Sequence, residues 1–189
     1  AIALEQVKAA PKDEDARRLF IDLLIVQGDF ERADKQADIL SNTAGALTLG
    51  LSLLRGRLRA AKARELWFLE GAIPAFPDGP TVRDTLAMQL AISMRGGNPE
   101  EIKRDLGTLS AVSETNSMTV NDQSGVEFRD ADDRIPHAVE VLCSNGSYMW
   151  VDFDRIEKLE LAPIRAVRDL AWRPANLVLA GGSETDVVI

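Results

Sequence analysis

Apolar positions recur every three or four residues through the first half of the chain, which is the period of an α-helix. Val7 and Ala10 follow this period in residues 2–10, and Pro11 ends that helix. The next helix is predicted to run to about Gln27. It carries apolar side chains on two sides, so we expect it to be buried between neighbouring helices. These side chains are Leu19, Phe20, Ile21, Leu23, Leu24, Ile25 and Val26.

The third predicted helix follows Gly28, and together with the second it resembles a tetratricopeptide helix hairpin. Arrays of such hairpins need about three units to bury a continuous core. Residues 47–70, 81–95 and a segment beginning at Asn98-Pro99 supply further predicted helices without repeating the motif. Gly50 and Gly56 each lower helix propensity by about 1 kcal/mol relative to Ala. Packing must therefore hold residues 47–70 helical, with backbones in close approach at the glycines.

The pattern changes to alternation after the polar stretch 113–124, which we interpret as a domain boundary. The prediction is an α+β protein. Residues 1–115 form a tetratricopeptide-like helical array, and residues 116–189 form a small α+β domain built round a β-hairpin.

Asn145-Gly146 predicts a two-residue type I′ turn in that hairpin, because both central residues of this turn need positive φ. The predicted register places Cys143 opposite Tyr148 and Val141 opposite Trp150. One face should then be the core face, with Val139, Val141, Cys143, Tyr148 and Trp150. The other face should be partly covered, with Glu140, Leu142, Ser144, Met149 and Val151.

Beyond the hairpin, Asp152 can cap a short helix that carries Phe153, Ile156 and Leu159. Residues 165–171 predict another helical turn or two, in which Arg168 and Asp169 can pair. Residues 176–179 and 187–189 predict two strands on either side of a glycine-rich turn.

The segment FRDADDR, residues 128–134, alternates arginines with three carboxylates. Asp130 and Asp132 have the spacing of a calcium loop, but Arg134 and Ile135 occupy positions where that loop needs a ligand and a glycine. We favour a structural turn without a metal, in which Arg129, Arg134 and backbone N–H groups satisfy the carboxylates.

The formal net charge of −8 argues against a nucleic-acid partner and against binding to anionic membranes. The single cysteine, Cys143, cannot form an internal disulfide, which is consistent with a cytoplasmic protein. The longest apolar run, residues 47–54, is too short to cross a bilayer.

No catalytic or cofactor-binding residue is predicted, and the sequence implies no cofactor. The single histidine, His137, is expected at a polar rim, in preference to the alternative of a catalytic base for Cys143, six residues away. The alternative hypothesis is a metal-dependent hydrolase that uses Asp130, Asp132, Asp133 and His137.

Three separated blocks, FRDADDR, VEVLCSNGSYMWVDFDRI and VRDLAWRPA, resemble the ImpE family, also called TagJ, of bacterial type VI secretion accessory proteins. The residues that carry the resemblance are expected to be mostly structural. They are Phe128, Arg129, Asp130, Asp132, Asp133, Arg134, Glu140, Asn145, Gly146, Tyr148, Trp150, Arg168, Asp169, Trp172 and Pro174.

The resemblance implies a non-enzymatic cytoplasmic adaptor. It would bind the N-terminal amphipathic helix of the small sheath subunit and connect it to the ATPase that recycles the contracted sheath. Family members usually continue past the position of Ile189, which leaves two alternatives for the β-rich domain: a truncated chain or a smaller sheet. The position of the partner-binding surface is left open.

Overall fold

The computed structural model describes residues 2–43, 45–113 and 116–189. Six helices come first, which agrees with the predicted order of a helical part and a β-rich part. They are α1 (Ile2–Ala9), α2 (Glu14–Val26), α3 (Phe30–Thr43), α4 (Thr48–Glu70), α5 (Val82–Gly96) and α6 (Pro99–Val112). Single 3-10 turns occupy Gly45–Leu47, Phe153–Arg155 and Val167–Leu170. No helix in the described ranges combines the length and the apolar character needed to cross a membrane.

Side-chain caps fix the starts of α2, α5 and α6. Asp13 accepts a hydrogen bond from the backbone N–H of Ala16 at the start of α2, and Asn98 does the same for Glu100 at the start of α6. Thr81 and Asp84 form a reciprocal capping box at the start of α5. Each cap satisfies backbone donors that the first turn of a helix leaves unpaired.

In the described part of the chain, seven strands follow, in two antiparallel sheets. They are β1 (Asn116–Val120), β2 (Gln123–Phe128), β3 (Ala138–Leu142), β4 (Tyr148–Asp152), β5 (Ile156–Leu161), β6 (Pro174–Leu179) and β7 (Glu184–Val188). β1 and β2 form a separate hairpin, and the larger sheet has the order β4-β3-β7-β6-β5. The outer edge of β4 is covered by Ala75, which exchanges backbone hydrogen bonds with Tyr148 and Trp150. This contact protects an edge that could otherwise pair with another chain.

One hairpin was not predicted, and one predicted helix is wrong. The polar stretch after α6 contains the β1–β2 hairpin, which turns at Asn121 and Asp122 with φ of 48° and 68°. These are the two positive φ angles that a type I′ turn requires. The helix predicted after Asp152 is one 3-10 turn followed by strand β5, in which Ile156 and Leu159 pair with β6. The domain boundary predicted after residue 115 falls at positions outside the described ranges.

The β3–β4 register is also one residue away from the prediction. Leu142 pairs with Tyr148 and Glu140 with Trp150, because the loop has three residues rather than two. Cys143 and Ser147 lie opposite each other at its base, and Gly146 alone has positive φ, at 101°. A three-residue loop with glycine at its last position replaces the type I′ turn. The one-residue shift puts Glu140, Leu142, Tyr148 and Trp150 on one face.

Both faces of the hairpin are covered. Ala138, Leu142, Tyr148 and Trp150 join the core that the helices form, while Val141 and Val151 pack with Ala175, Leu177 and Val187 from β6 and β7. Trp150 is completely buried, as predicted. The helical part and the β-rich part therefore share one hydrophobic core along this face, and a second core lies on the other face.

The hairpin loop packs directly on α4. A Cβ added to Gly56 would lie 1.6 Å from the backbone oxygen of Ser144. The close approach expected at a glycine of this helix therefore occurs at Gly56. A Cβ added to Gly50 or Gly45 would have no neighbouring atom within 4 Å.

Candidate functional site

The polar side chains of the hairpin motif form a network with helix α4. Glu140 accepts hydrogen bonds from Arg64 at 2.9 Å and 2.8 Å, and the Tyr148 hydroxyl donates to the same carboxylate. The Trp150 indole N–H donates to the Tyr148 oxygen at 2.6 Å. Burial raises the pKa of Tyr148 well above its usual value, and the Glu140 carboxylate adds to the shift. Tyr148 is therefore a neutral donor that orders the network.

The carboxylates of the FRDADDR segment contact groups within the segment. Asp130 accepts from the backbone N–H of Asp132 at 2.7 Å, and Asp132 accepts from the backbone N–H of Arg134 at 2.9 Å. The Arg134 guanidinium forms a bidentate ion pair with Asp132, and Arg129 forms an ion pair with Asp133. The hydrogen bonds of Arg134 hold the pKa of Asp132 below its usual value, although burial acts in the opposite direction. The segment has the local hydrogen bonds that a structural turn requires.

A second polar network joins the start of α5 to the sheet, and the sequence patterns did not predict it. His137 Nε2 lies 3.0 Å from Asp84 Oδ1, and both side chains are almost completely buried. Burial alone would raise the pKa of Asp84, but hydrogen bonds from His137 and Thr81 outweigh it and lower that pKa. His137 therefore lies in the interior and not at a polar rim, so that prediction is wrong.

Asp152 completes this network at the end of β4. Its carboxylate accepts from Arg83 Nε at 3.0 Å and lies 2.9 Å from the Thr81 hydroxyl. Arg83 also pairs with Asp154. Because α5 and β4 both contribute, the network fixes the position of α5 on the sheet.

The third motif block contacts the helical part through α2 and α3. Arg168 pairs with Asp22 of α2 at 2.8 Å, and not with Asp169, its neighbour in sequence. Asp169 accepts from the backbone N–H groups of Arg165 and Ala166 instead. The Trp172 ring lies 5.5 Å from the Phe30 ring, measured between centroids. All three motif blocks therefore provide side chains that hold the β-rich part together or attach it to the helices.

The residues of the hydrolase hypothesis do not form one cluster in the described part of the chain. The group of three potential metal ligands found there is Asp84, His137 and Asp152, without Asp130, Asp132 or Asp133. Arg83 and Thr81 already bind the Asp152 and Asp84 carboxylates. The ion pairs and the capping box account for this arrangement as a structural network.

The outer face of α2 presents apolar side chains to solvent. Leu19, Leu23 and Val26 are 41%, 36% and 45% exposed. Their i, i+4, i+7 spacing places them in one line along the helix. Phe20, Leu24 and Ile25 cover the opposite side and are buried. The sequence predicts α2 to be buried on both sides, but in the described structure only one side is.

The comparisons with known proteins agree with the motif blocks. Residues 122–189 match the model of the ImpE protein family. Over 184 residues the chain is 27% identical to the type VI secretion system accessory component TagJ of Pseudomonas aeruginosa. The predicted resemblance to the ImpE/TagJ family is confirmed.

The similarity to individual proteins extends over nearly the whole chain. The alignment with the Pseudomonas TagJ covers 96% of this chain and 64% of that protein, so the chain spans somewhat less than two thirds of its relative. A crystal structure of a protein from Vibrio parahaemolyticus superposes with a TM-score of 0.89 and 29% identity, over 99% of this chain and 70% of that one. The α+β architecture is thus shared with an experimentally determined structure. The ImpE match lies in the part that carries the β-rich motif blocks.

Proposed function

We propose that this chain is a non-enzymatic accessory protein of a bacterial type VI secretion system and acts in the cytoplasm. The similarity to TagJ over 96% of the chain is the observation that carries this proposal. The motif residues support an adaptor role rather than catalysis, because their side chains are used in contacts between the helices and the sheet.

The partner is the N-terminal amphipathic helix of the small sheath subunit, and the outer face of α2 is where it docks. An amphipathic helix presents apolar anchors at i, i+3 or i+4, and i+7. Leu19, Leu23 and Val26 offer a line of the same spacing, about 10 Å long at 1.5 Å per residue. Packing two such lines together buries apolar surface on both helices, which is the main favourable term in association.

Charge favours a partner helix with basic residues on its polar side. The whole chain carries a formal net charge of −8, and Glu14 and Asp15 lie in the first turn of α2. Acidic groups at the rim of a binding face mainly raise the association rate and make it sensitive to salt. The bound sheath helix would be connected through this adaptor to the ATPase that recycles the sheath.

Calorimetry of a synthetic sheath-subunit N-terminal peptide against the purified protein tests the proposal. We expect micromolar or tighter binding that weakens as salt is raised. Leu23→Asp should abolish binding. Ile92→Asp places the same charge at an exposed apolar position of α5 and should leave binding unchanged.

Three outcomes would contradict the proposal. Binding that survives Leu23→Asp would place the peptide on another surface. No binding at millimolar peptide, with the protein folded by circular dichroism, would remove the sheath helix as the partner. A concentration-dependent dimer that Leu23→Asp dissociates would show that the α2 face is occupied by a second copy of the chain.

A further inference from the structure

A separate cleft of about 220 Å³ opens between α4, α5 and the FRDADDR segment. Phe68 and Met94 form its accessible walls, and the buried rings of Trp67 and Trp150 lie beneath its floor. Trp67 and Trp150 meet edge to face, with 4.9 Å between centroids. Arg134 also lines the cleft, and like Trp150 it belongs to the family motif, so we call this feature the motif cleft. Its size suits one large apolar side chain.

Two guanidinium groups, of Arg95 and Arg134, stand at the motif cleft. The Arg134 charge is compensated by its bidentate ion pair with Asp132. The Arg134 guanidinium also lies over the Phe68 ring, 4.6 Å from the ring centroid. Arg95 differs, because no carboxylate pairs with it within the described ranges. Its guanidinium lies 5.5 Å from the Trp67 centroid, in the last turn of α5. The ring face and the helix end stabilise this cation, but neither neutralises it.

We propose that the motif cleft binds a partner polypeptide through one large apolar side chain next to an acidic residue. The apolar side chain packs against Phe68 and Met94, above the buried rings of Trp67 and Trp150. The neighbouring carboxylate pairs with Arg95. An aromatic-walled pocket with an arginine at its rim has the composition of the anchor points that dominate protein interfaces. This partner chemistry is opposite in charge to that proposed for the α2 face, so the chain offers two distinct docking sites.

Nuclear magnetic resonance of the three tryptophan indole N–H groups tests this proposal with tripeptide probes. Trp67 and Trp150 line the motif cleft, and Trp172 packs against Phe30 outside it. Acetyl-Glu-Phe-Glu-amide should shift the signals of Trp67 and Trp150 with millimolar affinity and leave Trp172 unchanged. Acetyl-Glu-Gly-Glu-amide lacks the apolar anchor, and acetyl-Lys-Phe-Lys-amide reverses the charge, so both should bind more weakly.

Two variants test separately what the Arg95 charge and the volume of the motif cleft contribute to probe binding. Arg95→Gln removes the cation and should weaken binding of the Glu-Phe-Glu probe by about 1.5- to 5-fold, the range of an exposed ion pair. It should not affect a Gln-Phe-Gln probe. Ala91→Leu fills the cleft and should abolish the shifts, while an unchanged Trp172 signal shows that the fold is intact.

Equal binding of the Glu and Lys probes would overturn the assignment of an acidic partner. Failure of the Glu-Phe-Glu probe to shift Trp67 or Trp150 would overturn the site itself. Shifts of all three tryptophans would show non-specific association and count against it equally. None of these outcomes depends on whether the sheath peptide binds to α2, so the two proposals fail independently.

Discussion

Replacing Gly56 with alanine should destabilise the protein, although alanine is the better helix former. A Cβ at this position would lie 1.6 Å from Ser144 O and 2.5 Å from Ser144 C. These are backbone atoms of the hairpin loop, so no flexible side chain can move aside. The loop or α4 must shift by about 1.5 Å or more to restore van der Waals contact.

The expected magnitude follows from two opposing effects. Overpacking against a rigid group costs about 3 kcal/mol, the upper end of the usual range. The higher helix propensity of alanine relative to glycine offsets about 1 kcal/mol of this cost. The net loss is about 2 kcal/mol, which lowers the melting temperature of a chain of this size by about 4–8 °C.

Gly50→Ala is the matched control in the same helix. Nothing lies within 4 Å of a Cβ there, so only the gain in helix propensity remains. We expect the melting temperature to rise by about 2–4 °C. Thermal unfolding followed by far-ultraviolet circular dichroism measures both variants. A Gly56→Ala protein as stable as Gly50→Ala would refute the packing of the hairpin loop on α4.

The remaining predictions concern the buried network and the core. Trp150→Ala should lower the unfolding free energy by about 3–5 kcal/mol in urea titrations, and a loss below about 1 kcal/mol would mean that the ring is not a core element. Asp84→Asn should lower it by about 1.5–3 kcal/mol at neutral pH, because hydrogen bonds to a charged group are lost. The folded pKa of Asp84 is lowered from the usual 3.8, so its contribution is present above that pH and is lost as the pH falls through the folded pKa. The stability difference between wild type and Asp84→Asn should therefore shrink as the pH falls from about 5 towards about 3, and a difference that grows would contradict the sign of the shift.

Local signals in the sequence predicted helices α1 to α6 well. Asn98-Pro99 sets the start of α6 through contacts within one turn, so the pattern of residue types is enough to locate it. The three motif blocks likewise indicate the family by their residue types and spacing alone. They do not reveal that their side chains, such as Glu140 and Arg168, hold helices and sheet together.

Other features depend on distant parts of the chain and could not be predicted. His137 is buried because Asp84, 53 positions earlier, provides its hydrogen bond. The hairpin register depends on one extra loop residue, Ser144, and the Asn-Gly signal does not distinguish two-residue from three-residue loops. The secondary structure of Ile156 and Leu159 could not be predicted for the same reason. Their spacing of three residues fits a short helix, and only pairing with β6 makes them part of a strand.

Docking of a partner helix on the outer face of α2 can be mapped by paramagnetic relaxation. A nitroxide spin label is placed at the middle of the sheath-subunit N-terminal peptide, on its polar side, and the methyl signals of the protein are recorded with the label oxidised and reduced. We expect selective broadening of Leu19, Leu23 and Val26, with Leu161 of β5 unaffected although it is 54% exposed. Broadening centred on any other surface, or none at a peptide concentration that calorimetry shows to be saturating, would contradict docking on α2.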